Sequence, residues 1–145
     1  MWVSRSEVQT EQFGRELAKV LREGDVVSLN GPLGTGKTRL VAGLVAGCGG
    51  ETTPVTSPTF SLIHEYPTHP AIAHCDAYRL ADTDEFLELG VSELWENGIV
   101  VVEWGDRVAD ALPPTSIRIV GTPTGPQERR FTVSANDDRT WPRRD

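Results

Sequence analysis

The residues best suited to chemistry begin with Asn30–Thr38, NGPLGTGKT, in which Gly31, four intervening residues and Gly36-Lys37-Thr38 fit the pattern G-x-x-x-x-G-K-[ST]. Each residue type has a physical reason. A polyphosphate is held by a ring of backbone N–H groups, and a chain wraps that tightly only where no Cβ intervenes, as at Gly31, Gly34 and Gly36. Lys37 brings a cation to the β- and γ-phosphates, and the Thr38 hydroxyl suits Mg²⁺. A helix opening here adds its positive end. The pattern therefore predicts a nucleoside triphosphate surrounded by Gly31, Leu33, Gly34, Thr35, Gly36, Lys37 and Thr38.

Such a loop needs acids from neighbouring strands, to hold the metal or the attacking water. Two candidates end apolar runs: Asp76 after AIAHC and Glu103 after IVVV. By hydrophobicity Glu103 is the better strand-then-acid. Both are taken as metal and catalytic candidates beside Lys37, and which of them ligates directly stays open. Ser57-Pro58-Thr59-Phe60 offers two hydroxyls, Ser57 and Thr59, on a Pro-stiffened loop, which suits a switch ordered by the γ-phosphate. Trp104 follows the acid and suits stacking on a base or a partner, or core packing. His74, beside Asp76, has no second ligand-like histidine nearby and reads as a strand residue. His64 and His69 carry no signal.

The elements that must position these groups follow from periodicity. Val26–Leu29 reads as a buried strand entering the loop. Leu40, Val41, Leu44 and Val45 recur at helical spacing after it, with a stop at Gly47 and Gly49-Gly50. Ser6 caps an earlier helix whose apolar face is Phe13, Leu17, Val20 and Leu21, and Met1–Ser4 is an edge strand or a loose terminus. Residues 60–66 alternate as a strand that forms a hairpin with 71–76 across the turn at Pro67–Pro70. Asp82 with Glu85 caps a short helix ending at Gly90, and Ser92–Glu96 adds a turn of helix. Ile99–Val102 is the most hydrophobic run and predicts a central buried strand. Ile117–Val120 and Phe131–Val133 are two more strands. The fold class is α/β, a single phosphate-loop NTPase-type domain over residues 1–135 with a mixed, partly antiparallel sheet flanked by helices. Residues 136–145, NDDRTWPRRD, are predicted to be a disordered tail.

The bulk numbers narrow the partners. With 145 residues, 38% hydrophobic and 24% charged, the chain suits one globular domain. No apolar run approaches the ~20 residues of a membrane span and the start lacks a signal-peptide core, so neither membrane nor export is expected. Cys48 and Cys75 lack metal-ligand spacing, which suits a reduced, cytoplasmic protein. A net charge of −7 disfavours a strong nucleic-acid grip, so any role with nucleic acid runs through a protein partner.

Taken in order, GPLGTGKT, SPTF, HCDAYRL with a following ELG, and VVEWGDR resemble the TsaE family, formerly YjeE, over about Ser6 to Ala135. The resemblance implies a phosphate-loop α/β domain with some antiparallel strands, a feeble intrinsic ATPase, and ATP and Mg²⁺ as cofactors. Thr38 and Glu103 would hold the metal, with Asp76 close by and Ser57 and Thr59 in the switch-like loop. It further implies action with a TsaB–TsaD-type pair in the threonylcarbamoyl modification of tRNA adenosine (t6A), where ATP and ADP states let that assembly turn over and tRNA is met only indirectly. Arg129 or Arg130 would approach the nucleotide or a partner, Arg130 being taken as the candidate. Arg39 stands where many members carry a second threonine. Two rivals share the loop: a small-molecule kinase, for which Arg39 and Arg79 are too isolated to form a lid, and a nucleotide-gated binding module without significant hydrolysis, against which Asp76 and Glu103 argue.

Overall fold

Successive side chains of the central strands turn to opposite faces of the sheet, and that alternation builds the layers. A computed structural model describes residues 1–145 except 33, 52, 57–62, 79 and 81, and except the side chains of Ser92 and Trp95. In chain order the elements are β1 (Trp2–Ser4), α1 (Glu7–Ala18), β2 (Val26–Asn30), α2 (Lys37–Gly47), β3 (Ile63–Tyr66), β4 (Ala71–Asp76), α3 (Thr83–Glu88), β5 (Gly98–Glu103), β6 (Ile117–Pro123) and β7 (Arg129–Ser134). Short 3₁₀ segments cover Val91–Asn97 and Gly105–Ala111. The strands form one seven-stranded sheet in the order β1-β7-β6-β2-β5-β4-β3. Its middle, β6-β2-β5-β4, is parallel, and β1, β7 and β3 join antiparallel. This is the mixed α/β domain expected from the sequence.

On one face Val27, Leu29, Ile72, Ile99, Val101, Ile117 and Ile119 meet Phe13 and Leu17 of α1 and Leu40, Val41, Leu44 and Val45 of α2. On the other, Val26, Ala73, Cys75, Val100 and Val102 meet Phe86 of α3 with Val91 and Val108. Both faces of β5 are thus covered, and all six of its residues are buried. That is what a continuous Ile-Val-Val-Val run demands, because a strand exposed on one face would carry polar residues at alternate positions.

The two helices on the first face lie unusually close. A Cβ added at Gly14 would stand 2.1 Å from the Leu40 carbonyl oxygen, and one at Gly43 would stand 1.9 Å from that of Glu11. Ser6 caps α1 by accepting a hydrogen bond from the Gln9 N–H at 3.1 Å, and Asp82 caps α3 by accepting one from Glu85 N–H at 3.0 Å. Both caps were legible as Ser or Asp ahead of an apolar-periodic run.

Residues 57–62, which include the start of the predicted hairpin strand, lie outside the described residues, and β3 is described from Ile63. The predicted disordered tail is corrected. Arg139 donates to both carboxylate oxygens of Asp25, at 2.6 and 3.2 Å, and to the Val20 carbonyl at 3.3 Å. Trp141 packs on the core of the first face, and Arg144 exchanges backbone hydrogen bonds with Met1 and Val3. Polarity alone misjudged the segment, because one planar guanidinium fork and one indole suffice to anchor it.

The close α1–α2 approach predicts that Gly43→Ala destabilises by about 3 kcal/mol, since backbone cannot yield as a side chain does. Gly125→Ala, whose new methyl would meet only ordinary contact at 3.5 Å, should stay within ~0.5 kcal/mol. Urea midpoints of the two variants measure this. A second prediction concerns Cys75, whose thiol is pushed up from 9.0 to about 12, chiefly by burial, with Glu65 and Asp76 adding to it. The unfolded chain releases this proton first, so stability attributable to Cys75 is lost as pH rises from about 9 towards about 12, by ~1.4 kcal/mol per unit. Denaturation curves across that window should show a shallower loss for Cys75→Ala than for the wild type.

Candidate nucleotide and metal site

The loop after β2 enters α2 through Gly36, whose left-handed φ of 88° turns the chain into the helix. A Cβ there would also sit 3.1 Å from an Arg129 guanidinium nitrogen and 3.3 Å from the Thr10 methyl, so those side chains would have to shift, but it is the positive φ that calls for glycine. Among the described residues no side chain caps α2. Its first-turn N–H groups therefore face outward as a ready anion site. Thr35 steadies the loop, its hydroxyl donating to the Pro32 carbonyl at 2.8 Å. Leu33, Ser57 and Thr59 of the predicted site lie outside the described residues.

Lys37 is the first residue of α2 and is only 5% exposed. Its ammonium donates to the Gly31 carbonyl at 2.6 Å and lies 3.8 Å from the centre of the Trp104 ring. Burial holds its pKa below the ordinary 10.5, against the opposing pull of Glu103 and Asp76. Both carboxylates are therefore close enough to act on the lysine.

Strand register explains why. Asp76 pairs with Glu103 across the parallel β4–β5 ladder, and Leu29 pairs with Glu103 across β2–β5. The alternation that sends Ile72 and Ile99 towards α1 and α2 sends His74, Asp76 and Glu103 to the same face. The lysine and both predicted acids thus converge at the carboxyl ends of three adjacent strands. In parallel α/β sheets that end is where ligands bind.

Two participants, His74 and Asn30, escaped the sequence reading. His74 is fully buried, and its Nε2 lies 2.5 Å from Glu103 Oε2. Its parity on β4 could have revealed it: it shares the face of Asp76 two residues before it. Asn30 receives the Asp106 backbone N–H at 2.9 Å and donates to Ser28 Oγ at 2.9 Å. It ties the end of β2 to the chain leaving β5. A Cβ at Gly105 would strike Ser28 Oγ at 2.2 Å, so that crossing is tight. Trp104 is held between the two in a left-handed conformation with φ of 60°, its N–H donating to Leu29 at 2.8 Å. Such a backbone is uncommon for a bulky residue and persists only where its surroundings fix it. Here the ring covers the lysine and leans on Tyr78 at 5.0 Å between centroids.

The C-terminal arginines are resolved by strand alternation. Arg129 faces Gly36, whereas the candidate Arg130 points elsewhere, with its Nε 3.7 Å from Glu128. Arg39 leaves the site altogether, pairing with Glu7 at 3.1 Å and Glu11 at 3.7 Å on α1.

Among the described residues no cluster of three His, Cys, Asp or Glu side chains could cage a cation alone. Thr38, Asp76 and Glu103 instead suit an ion that takes its remaining ligands from phosphate and water, which is the habit of Mg²⁺. Among the described residues no helix is long and apolar enough to cross a membrane.

Strand order and loop position put the protein in the phosphate-loop class of α/β folds. Within that class the chain belongs to the TsaE family: the profile described as "Threonylcarbamoyl adenosine biosynthesis protein TsaE" matches residues 4–131. It is 39% identical over 133 residues to the tRNA threonylcarbamoyladenosine biosynthesis protein TsaE of Treponema pallidum, covering 91% of this chain and 98% of that one. The protein of the same name from Streptomyces coelicolor is 39% identical over 137 residues, covering 88% and 91%. The crystal structure of Bacillus subtilis YdiB superposes with a TM-score of 0.73 at 30% identity, covering 92% of this chain and 83% of that one.

If the anion held at this loop is the polyphosphate of ATP, Lys37→Ala, which removes the buried ammonium, should lower ATP affinity by at least about 100-fold, a loss of ~3 kcal/mol. Calorimetric titration, with circular dichroism to verify folding, checks this.

Proposed function

We propose that this protein binds ATP with Mg²⁺, hydrolyses it slowly, and serves as the ATPase subunit in formation of threonylcarbamoyladenosine on tRNA. The observation that carries the ATPase reading is the convergence of Lys37, Asp76 and Glu103 at one end of the sheet. The biological role rests on family membership.

In this reading the first-turn N–H groups of α2 and the Lys37 ammonium hold the β- and γ-phosphates. To reach them the ammonium exchanges its bond to the Gly31 carbonyl for bonds to phosphate oxygens. Trp104 limits water around it and keeps the charge strong in a low-dielectric setting. Thr38 and Glu103 would hold Mg²⁺, with Asp76 beside Glu103 holding it through water or orienting the attacking water. When bound, the ion neutralises charge on the β- and γ-oxygens. A cleft of about 400 Å³ lined by Ser6, Glu7, Val8, Gln127 and Arg129, the last of which also reaches Gly36, would suit the nucleoside end.

The net charge of −7 supports a protein partner rather than direct tRNA binding. A TsaB–TsaD-type pair acting in the cytoplasm is that partner in our reading, with ATP hydrolysis to ADP permitting turnover of the assembly.

Glu103→Gln keeps a hydrogen-bonding group beside His74 while removing the charge, so it tests chemistry with less damage than Glu103→Ala. It should cut partner-stimulated phosphate release at least about 100-fold and leave ATP binding measurable. Phosphate release and tRNA modification, assayed with and without the partner pair, decide the matter. Unchanged turnover in this variant refutes the assigned role.

A further inference from the structure

A histidine at a fully buried strand position, where β4 otherwise places Ile72 against the core, calls for a reason. An aliphatic side chain would fill that space without polar cost. The His74 Nε2 meets the Oε2 of a carboxylate that is itself only 4% exposed, at 2.5 Å. One of the two ring nitrogens must carry the proton of a neutral imidazole, and among the described residues only Nε2 has a hydrogen-bond partner to receive it. The other ring nitrogen, Nδ1, has no partner among the described residues. A proton there would leave a buried N–H unsatisfied, at about 1–3 kcal/mol. The ring is thus held as the Nε2–H tautomer, aimed at Glu103.

We propose that His74 is a positioning residue: its Nε2–H fixes the Glu103 carboxylate by Oε2 and leaves Oε1 to serve the nucleotide-bound cation. The proposal rests on the Mg²⁺-ATP reading above. Register supports it, because His74 lies opposite Val101 while Asp76 lies opposite Glu103. The imidazole therefore reaches Glu103 diagonally across the ladder from the side facing the core. Without this contact the carboxylate keeps its charge but loses the bond that fixes its rotamer. Partners of metal-holding groups are typically worth 10–100-fold in metal affinity.

The test compares wild type, His74→Gln and His74→Phe by titrating ATP in excess Mg²⁺ and in EDTA, with denaturation curves alongside. Glutamine places an N–H near the site of Nε2, whereas phenylalanine fills the space without a donor. In His74→Phe we expect ATP affinity in EDTA to be unchanged and the tightening conferred by Mg²⁺ to shrink at least about 10-fold, with His74→Gln staying within about 3-fold of wild type. A folded His74→Phe that keeps the full Mg²⁺ effect overturns the proposal, as does equal loss in the two variants. Nitrogen NMR of the three histidine rings gives a readout free of nucleotide and metal. The His74 signals should show the Nε2–H tautomer and shift in Glu103→Gln, and an Nδ1–H tautomer overturns the proposal even if His74→Phe does not fold. A wild type that shows no Mg²⁺-dependent ATP binding refutes the proposed function instead, while the NMR result still decides the His74–Glu103 link.

Discussion

An ammonium group taken out of water at the carboxyl end of a β-sheet costs several kcal/mol unless other groups replace its hydration, and Lys37 is such a group. The Gly31 carbonyl, the face of Trp104 and the field of Glu103 and Asp76 replace that hydration. The residual cost shows in the direction of the lysine's pKa, which falls because desolvation outweighs the acids. A cation held in this way is strongly attracted to any anion that can reach it. The polyphosphate of a nucleotide offers more negative charge than the single carbonyl that now receives the lysine's hydrogen bond.

The surrounding architecture supplies those compensating groups. Parallel pairing of β2, β5 and β4 brings Leu29, Glu103 and Asp76 to one level of the sheet. Asn30 and the close pass of Gly105 over Ser28 then fold the chain leaving β5 back across β2, which lays Trp104 on the lysine. The bidentate Arg118–Asp106 pair, at 2.9 and 2.7 Å, closes the same crossing from outside. Both its side chains are about half exposed, so water screens it and it contributes little stability. The buried hydrogen bonds of Asn30 carry more of that task.

Support for the loop also comes from the opposite side. Gly14 and Gly43 let α1 and α2 touch backbone to backbone, and this brings Thr10 up to Gly36. Thr10 is fully buried and shares a 2.6 Å hydrogen bond with Ser4 of the edge strand. The first strand, the first helix and the loop are therefore one mechanical unit. The C-terminal segment strengthens it by anchoring Arg139 at the turn between α1 and β2. Arg129 of β7 closes the unit beside Gly36, where it adds positive charge to the helix end.

The sequence by itself determined what depends on local spacing. The glycines and lysine of the loop, the caps Ser6 and Asp82, the helical run Leu40–Val45 and the buried strand Ile99–Val102 are all written in neighbouring residues, and each stands where expected. Only tertiary structure decided what depends on long-range pairing. That His74 reaches Glu103, that Arg129 rather than Arg130 faces the loop, and that Arg139 binds Asp25 follow from strand register and chain crossings between residues 29 to 114 positions apart. Local propensity carries no information about such distances. A single-residue slip in register would turn His74, Glu103 or Arg129 to the other face, which is why that part of the pattern became legible only once the sheet was assembled.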